Sequence, residues 1–209
     1  EGTNFFSDKV FGERALEQKL TDVLNHTGKP VFLIASTTNI DRIVSVYKAC
    51  VRSGREFLID IEEERILEIM GESVPKAKTF DNVKVYYPKP ITNGLPFCDV
   101  REKSVAIRTL VPKTDYVMLI KTSTLPYLKK LANLGADLKG ATLGYSLWAG
   151  YLETATMQRF IAEIKQLGMN VVKLHASGHA DKNTIRKLLI RCCPNEVVWV
   201  HTPFKKFDV

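Results

Sequence analysis

The sequence contains no C-x-x-C, and its four cysteines, Cys50, Cys98, Cys192 and Cys193, include one adjacent pair, a poor arrangement for a structural zinc site or a disulfide framework. A reducing, cytoplasmic setting is therefore expected. Long apolar runs are also missing. Val31 to Ala35 falls far short of the roughly 18 residues that a membrane helix requires, so a soluble protein without a membrane partner is expected. There is no low-complexity segment, no repeat of fixed period and no charged-apolar-small succession of a secretory leader. The first residue is Glu1 rather than Met, and the chain reads as a segment of something longer.

What is present is an ordinary globular composition. The 209 residues are 45% hydrophobic and 25% charged, with 12 Gly and 9 Pro, which excludes disorder and collagen-like structure and allows one large domain or two small ones. Lys and Arg outnumber Asp and Glu by 30 to 23, leaving a net charge of +7. Such a balance favours a polyanionic partner such as RNA, although a merely basic surface has the same composition.

Short apolar segments alternate with amphipathic ones. Helix 13–25 carries Leu16, Leu20, Val23 and Leu24 at helical spacing, and strand 31–35 leads through Ser36, Thr37, Thr38 and Asn39 into helix 40–51. Strand 55–61, helix 62–70 and strand 83–87 follow, and then a loop over 88–96. Strand 116–120, helix 125–134 and strand 142–146 repeat the pattern, and so do helix 154–167, strand 170–175, helix 181–192 and strand 196–200. This alternation predicts an α/β fold with a largely parallel sheet. Ligands of such sheets gather at the carboxyl ends of the strands, where Ser36, Thr37, Asp60, Thr122, Ser123, His175, His179 and His201 all fall. Residues of these types after strands also serve simply as helix caps.

Only four histidines exist, His26, His175, His179 and His201, and three of them crowd the C-terminal strand ends. In H-A-S-G-H at 175–179, Gly178 permits a tight turn, and Ser177 with nearby amides can donate to a phosphate just before a helix. Imidazole titrates near neutrality, so His179 suits protonation of a leaving oxygen, and His201 suits a metal. The bare spacing equally allows both to cap helices or bond carbonyls. Basic residues at 42, 48, 52, 55, 121, 129 and 130 are candidate phosphate contacts among ordinary solvated charges. Trp148 and Tyr151 could stack bases or lie in the core.

H-A-S-G-H-A-D, with a helix and then V-V-W-V-H-T, resembles the C-terminal signature of the β-CASP branch of metallo-β-lactamase-fold nucleases, the group of ribonuclease J and the pre-mRNA 3′-end endonuclease. E-G-T-N at 1–4, S-T-T-N-I-D-R at 36–42, F-L-I-D at 57–60 and Y-S-L-W-A-G-Y at 145–151 resemble other segments of that family. The resemblance implies that residues 1–12 end the N-terminal part of the lactamase-like domain. It makes 13–150 the parallel-sheet β-CASP domain, and 151–209 the segment returning to the αββα lactamase-like fold. It also implies roles for single residues: Asp60 as motif A, His179 as the motif B general acid, Glu1 as the carboxylate orienting it, and His201 as a zinc ligand. His175, Ser177 and Gly178, with Ser36 and Thr37, would touch the substrate phosphate.

The family binds two zinc ions mainly through H-x-H-x-D-H, and no H-x-H occurs here. One imidazole cannot hold a hydrolytic zinc, which takes about three protein ligands and a water. The resemblance therefore implies part of a zinc-dependent phosphodiester hydrolase acting on RNA or DNA. It would be inactive alone and would depend on the missing metal-binding half in cis or in trans. Exposed apolar strand edges from residue 170 onward would favour that half or self-association. Two alternatives stay open: a non-catalytic RNA-binding module, and a hydrolase of the same superfamily acting on a small substrate.

Overall fold

A computed structural model describes residues 11–88, 100–176 and 178–199. The chain alternates helix and strand as α1 (Glu13–His26), β1 (Val31–Ile34), α2 (Ile40–Ser53), β2 (Glu56–Asp60), α3 (Ile61–Ile69) and β3 (Val83–Tyr86). It continues with α4 (Ile107–Leu110), β4 (Tyr116–Ile120), α5 (Leu125–Asn133), β5 (Thr142–Tyr145), α6 (Ala155–Gln166), β6 (Asn170–Lys173) and α7 (Lys182–Cys192). The six strands form one sheet in the order β3-β2-β4-β1-β5-β6, and every pairing is parallel. The expected α/β fold is thus observed.

Alternation along the strands builds the two sides of the core, because successive side chains of a strand point to opposite faces. Val31, Leu33, Phe57, Ile59, Val117 and Leu119 pack with Leu20, Ile43, Val46 and Leu67 of α1, α2 and α3 on one face. Phe32, Ile34, Leu58, Met118 and Leu143 pack with Leu110, Leu128, Phe160 and Ile164 of α4, α5 and α6 on the other. Local chemistry sets the element ends. The Asn39 side chain accepts from the Arg42 amide at the start of α2, and Gly54, at φ +66°, closes it with an amide bonded to the Cys50 and Val51 carbonyls.

The chain leaves β2 toward β3 and leaves β4 toward β5, in opposite directions and with α3 and α5 on opposite faces. This opens a crevice at the carboxyl ends of that neighbouring pair. β1 and β5 diverge in the same way.

Beyond residue 150 the sheet continues without a break. α6 packs on the second face, and β6 pairs with β5 from Thr142↔Asn170 to Tyr145↔Lys173, so the boundary expected at 150 does not coincide with an end of the sheet. The strand expected over 196–200 is absent from its described residues, 196–199. No strand lies alongside them among the described residues, and an apolar run without a partner ladder has nowhere to place its backbone hydrogen bonds. No residue of α7 is buried, and Leu188, Ile190 and Val198 are exposed. Among the described residues no helix is long and apolar enough to cross a membrane.

Candidate functional site

Of the strand-end polar residues expected from the sequence, Ser36, Thr37, Asp60 and His175 lie at the carboxyl edge of the sheet, and Arg42 ties the ends of β5 and β6 to that edge. This side chain, 1% exposed, leaves the first turn of α2 and runs under the edge. Its Nε donates to both carboxylate oxygens of Glu13, at 3.1 and 3.0 Å, and its Nη2 donates to Glu13 Oε1 at 2.8 Å and to the Ala176 carbonyl at 3.0 Å. Its Nη1 donates to the Ser146 carbonyl at 2.9 Å and to Ser146 Oγ, which itself donates to the Leu174 carbonyl. The ends of β5 and β6 are thereby tied to the turn after β1. Arg42 was read from the sequence as a candidate phosphate contact; its guanidinium is spent inside the protein.

His175 stands on this clasp. It is partly exposed, with Nδ1 3.4 Å from the Ser146 carbonyl, and the chain then turns outward so that Gly178 and His179 are exposed. A Cβ built at Gly178 meets nothing within 4 Å. α7 begins immediately afterwards, with the Asp181 side chain accepting from the Thr184 amide at 2.6 Å. That carboxylate occupies the helix N-terminus, so an anion would meet the loop 175–180 rather than the first-turn amides of α7.

On the turn after β1, Ser36 is exposed and its Oγ lies 2.9 Å from Thr38 Oγ1. Thr37 points the other way. It is buried and donates to Glu63 Oε1 at 3.4 Å. Of the expected pair, only Ser36 presents its side chain to solvent.

Asp60 lies at the β2/β4 crevice, 3% exposed. Its Oδ1 accepts from the Glu63 amide at 2.8 Å, and Glu63 Oε2 accepts from the Asp60 amide at 2.8 Å, a reciprocal cap at the start of α3. Its Oδ2 accepts from Lys121 Nζ at 2.9 Å, and Lys121 also reaches Glu62 at 3.1 Å and Glu63 at 3.8 Å. Burial, then the charge of Asp60, pushes the Glu63 carboxyl up to about 8. For Lys121, burial acts to lower its pKa, but the hydrogen bond to Asp60 and the charges of Glu63 and Asp60 together outweigh it and raise it. Asp60 thus has both oxygens engaged within the fold. The buried Glu63 was not singled out from the sequence, although the D-x-x-E spacing of Asp60 and Glu63 is the signal that would have found it.

Other expected residues fall elsewhere. Arg55 sits at the amino edge of the sheet, where it donates to the carbonyls of Leu24, Thr27, Lys29 and Thr114. Arg52 pairs with Glu17, and Lys129 with Glu163. Glu1, Ser177 and His201 lie outside the described residues. Among the described residues no three His, Cys, Asp or Glu side chains gather closely enough to hold a metal ion. The described residues therefore do not fit the zinc pair that the sequence resemblance implies.

No family model matches the chain, and no curated protein matches it either.

Proposed function

We propose that this chain is the RNA-binding part of a phosphodiester hydrolase of the β-CASP kind, contributing a phosphate-holding edge, a proton-donating histidine and one metal-ligand histidine to a reaction whose other metal ligands lie elsewhere. The observation that carries the reading is the Arg42 clasp. It holds the start of the H-A-S-G-H loop, part of the strongest sequence resemblance, and the S-T-T-N turn, another segment that resembles the family, on one edge of one sheet. The net charge of +7 supplies the long-range attraction for a polyanion.

In this reading the backbone phosphates of RNA run along the edge past Ser36 and the loop 175–180. His179, exposed beyond Gly178, holds a proton for the leaving oxygen, and His175 supports the loop from its place on Ser146. The two zinc ions belong to residues of a metal-binding half, in cis or in trans, with His201 as this chain's contribution. Asp60, fixed between Glu63 and Lys121, positions the neighbouring edge rather than meeting the substrate.

The second reading is a binding module without catalysis, in which the same edge binds RNA and no metal-binding half is needed. A single experiment separates the two. Binding of a labelled single-stranded RNA is measured by anisotropy at increasing salt, and hydrolysis is followed with the metal-binding half added. Salt-sensitive binding is expected, with log K falling linearly in log salt. Turnover with the half present, lost in His179→Ala while RNA affinity persists, supports the hydrolase. Binding without turnover under every reconstitution selects the module. Hydrolysis of small phosphodiesters without RNA binding contradicts both.

A further inference from the structure

Beside the clasp, the carboxyl edge carries an aromatic pair that the core does not use. After β5 the chain passes Ser146 and enters a short 3-10 turn, Ala149–Glu153, preceded by Trp148. Trp148 is 65% exposed and Tyr151 50%, and their rings meet edge to face, with centroids 5.5 Å apart. Large aromatic side chains are normally buried where they only serve packing, so two neighbouring ones left in water are informative.

The backbone holds the indole in a set position. The Tyr145 hydroxyl donates to the Trp148 carbonyl at 2.9 Å, and the Tyr151 amide donates to the same carbonyl at 3.1 Å. A Cβ built on Gly150 falls on three consecutive atoms of the six-membered ring, Cζ2, Cη2 and Cζ3, the farthest only 2.6 Å away. A point that close to all three lies over the ring face rather than beyond its edge. One face of the indole therefore rests on the Gly150 backbone. At 65% exposure, much of the indole away from that backbone is open to solvent, with Tyr151 meeting it edge to face. Only glycine leaves room for this arrangement.

The place of the pair suits one kind of ligand. Trp148 lies two positions after Ser146, no more than about 7 Å of chain. Ser146 is bonded to Arg42, to the Leu174 carbonyl and, through its own carbonyl, to His175. The open indole face thus stands next to the loop assigned to phosphate, in a chain of net charge +7. A flat aromatic face beside a phosphate-holding edge matches a nucleotide with its base unstacked. A duplex keeps its bases stacked on one another and offers no such face.

We infer that Trp148, braced by Gly150 and Tyr151, is a stacking platform for one unpaired base, which makes the ligand of this edge a single-stranded polynucleotide. This rests on the RNA-binding reading above and narrows it. Stacking is tolerant of sequence, since every base has a π face, so the platform selects strandedness rather than base identity.

The test uses the full chain and a 12-nucleotide single-stranded RNA, with the duplex of the same sequence as the second probe. Trp148→Ala is expected to weaken single-strand binding about ten- to a hundredfold. The slope of log K against log salt should stay the same, because no phosphate contact is lost. Trp148→Phe restores most of the affinity. Gly150→Ala keeps the indole but displaces it from its rest, and is expected to weaken binding at an unchanged melting temperature. Duplex binding should be equal in wild type and Trp148→Ala. In a Trp199→Phe background, single-stranded RNA should quench the remaining indole. Unchanged single-strand affinity in Trp148→Ala, with wild-type binding intact, overturns the platform and leaves the RNA-binding reading standing. No RNA binding by the wild type overturns both. A change of oligomeric mass in Trp148→Ala, without a change in affinity, overturns the platform by showing that the pair joins protein to protein.

Discussion

The guanidinium of Arg42 donates to the carbonyl of Ala176, 134 positions later in the sequence, at 3.0 Å. Together with the bonds to Glu13 and Ser146, this spends the donors of a fully buried cation on the ends of two strands and the start of a helix. The cation acts as a brace, and the loop that carries His175 and His179 depends on it.

Arg42→Met removes every one of those bonds, leaving the Ala176 carbonyl without the Arg42 donor and the Ser146 carbonyl with only its 3.4 Å contact to His175 Nδ1. Breaking a buried charged network costs about 3–5 kcal/mol. Urea unfolding should show a loss of that size. Lys129→Gln, which removes only a pair between two solvent-accessible side chains, Lys129 and Glu163, should cost under about 1 kcal/mol. Equal losses in the two variants would contradict the brace.

Arg55 separates charge from structure. Its bonds to four carbonyls lie at the amino edge, away from the proposed RNA path. Arg55→Gln should lower the urea midpoint while leaving the salt slope of RNA binding untouched. A slope reduced by about one, the signature of a lost phosphate contact, would place the RNA on the wrong edge.

Glu63 makes stability depend on pH with a definite sign. Its carboxyl titrates at about 8 in the fold, above its ordinary 4.5, so the folded state holds the proton through an interval in which the unfolded chain has lost it. Stability from this group is complete below the unfolded value and declines as pH rises toward about 8, beyond which it is flat. The groups facing it are Thr37, Asp60, Lys121 and Tyr86; Asp60 disfavours its ionisation and Lys121 favours it. Glu63→Gln should flatten the stability profile between pH 5 and 8. A profile with the same downward slope in the variant would assign the titration to another group.

Gly144 lies where β5 meets the clasp. A Cβ there falls 2.6 Å from Leu33 Cδ1 and 2.8 Å from Leu174 Cδ1. Gly144→Ala should cost about 1–3 kcal/mol by overpacking. Because Leu174 precedes His175, it should also weaken RNA binding more than an equally destabilising change on α1, such as Leu24→Val.

The strand-turn-helix units were legible because their signals are local. Apolar runs such as Tyr116–Ile120 could only be buried strands, and Gly168, at φ +78°, ends α6 where the sequence reading stops it. The strand order could not be read, since it depends on which faces meet across long connections. The candidate site was half legible. Polar residues at strand ends do share one edge, but their directions depend on which backbone groups lack partners. Arg42 and Arg55 look like surface cations in the sequence; unsatisfied carbonyls at the sheet ends turn them inward. Thr37 likewise turns to the buried Glu63 while its neighbour Ser36 stays in water. For Trp148 and Tyr151 the spacing permitted both core and stacking roles, and their exposure decides against the core.

The central claim is that the carboxyl edge is the RNA-binding face, and backbone amide hydrogen exchange of the full chain with and without single-stranded RNA tests it most directly. Slowed exchange in 35–40, 146–153 and 174–181, with none at 27–30 or 113–115 on the opposite edge, is the predicted result. Protection confined to the amino edge or to α1, with the three carboxyl-edge segments unchanged, would contradict it.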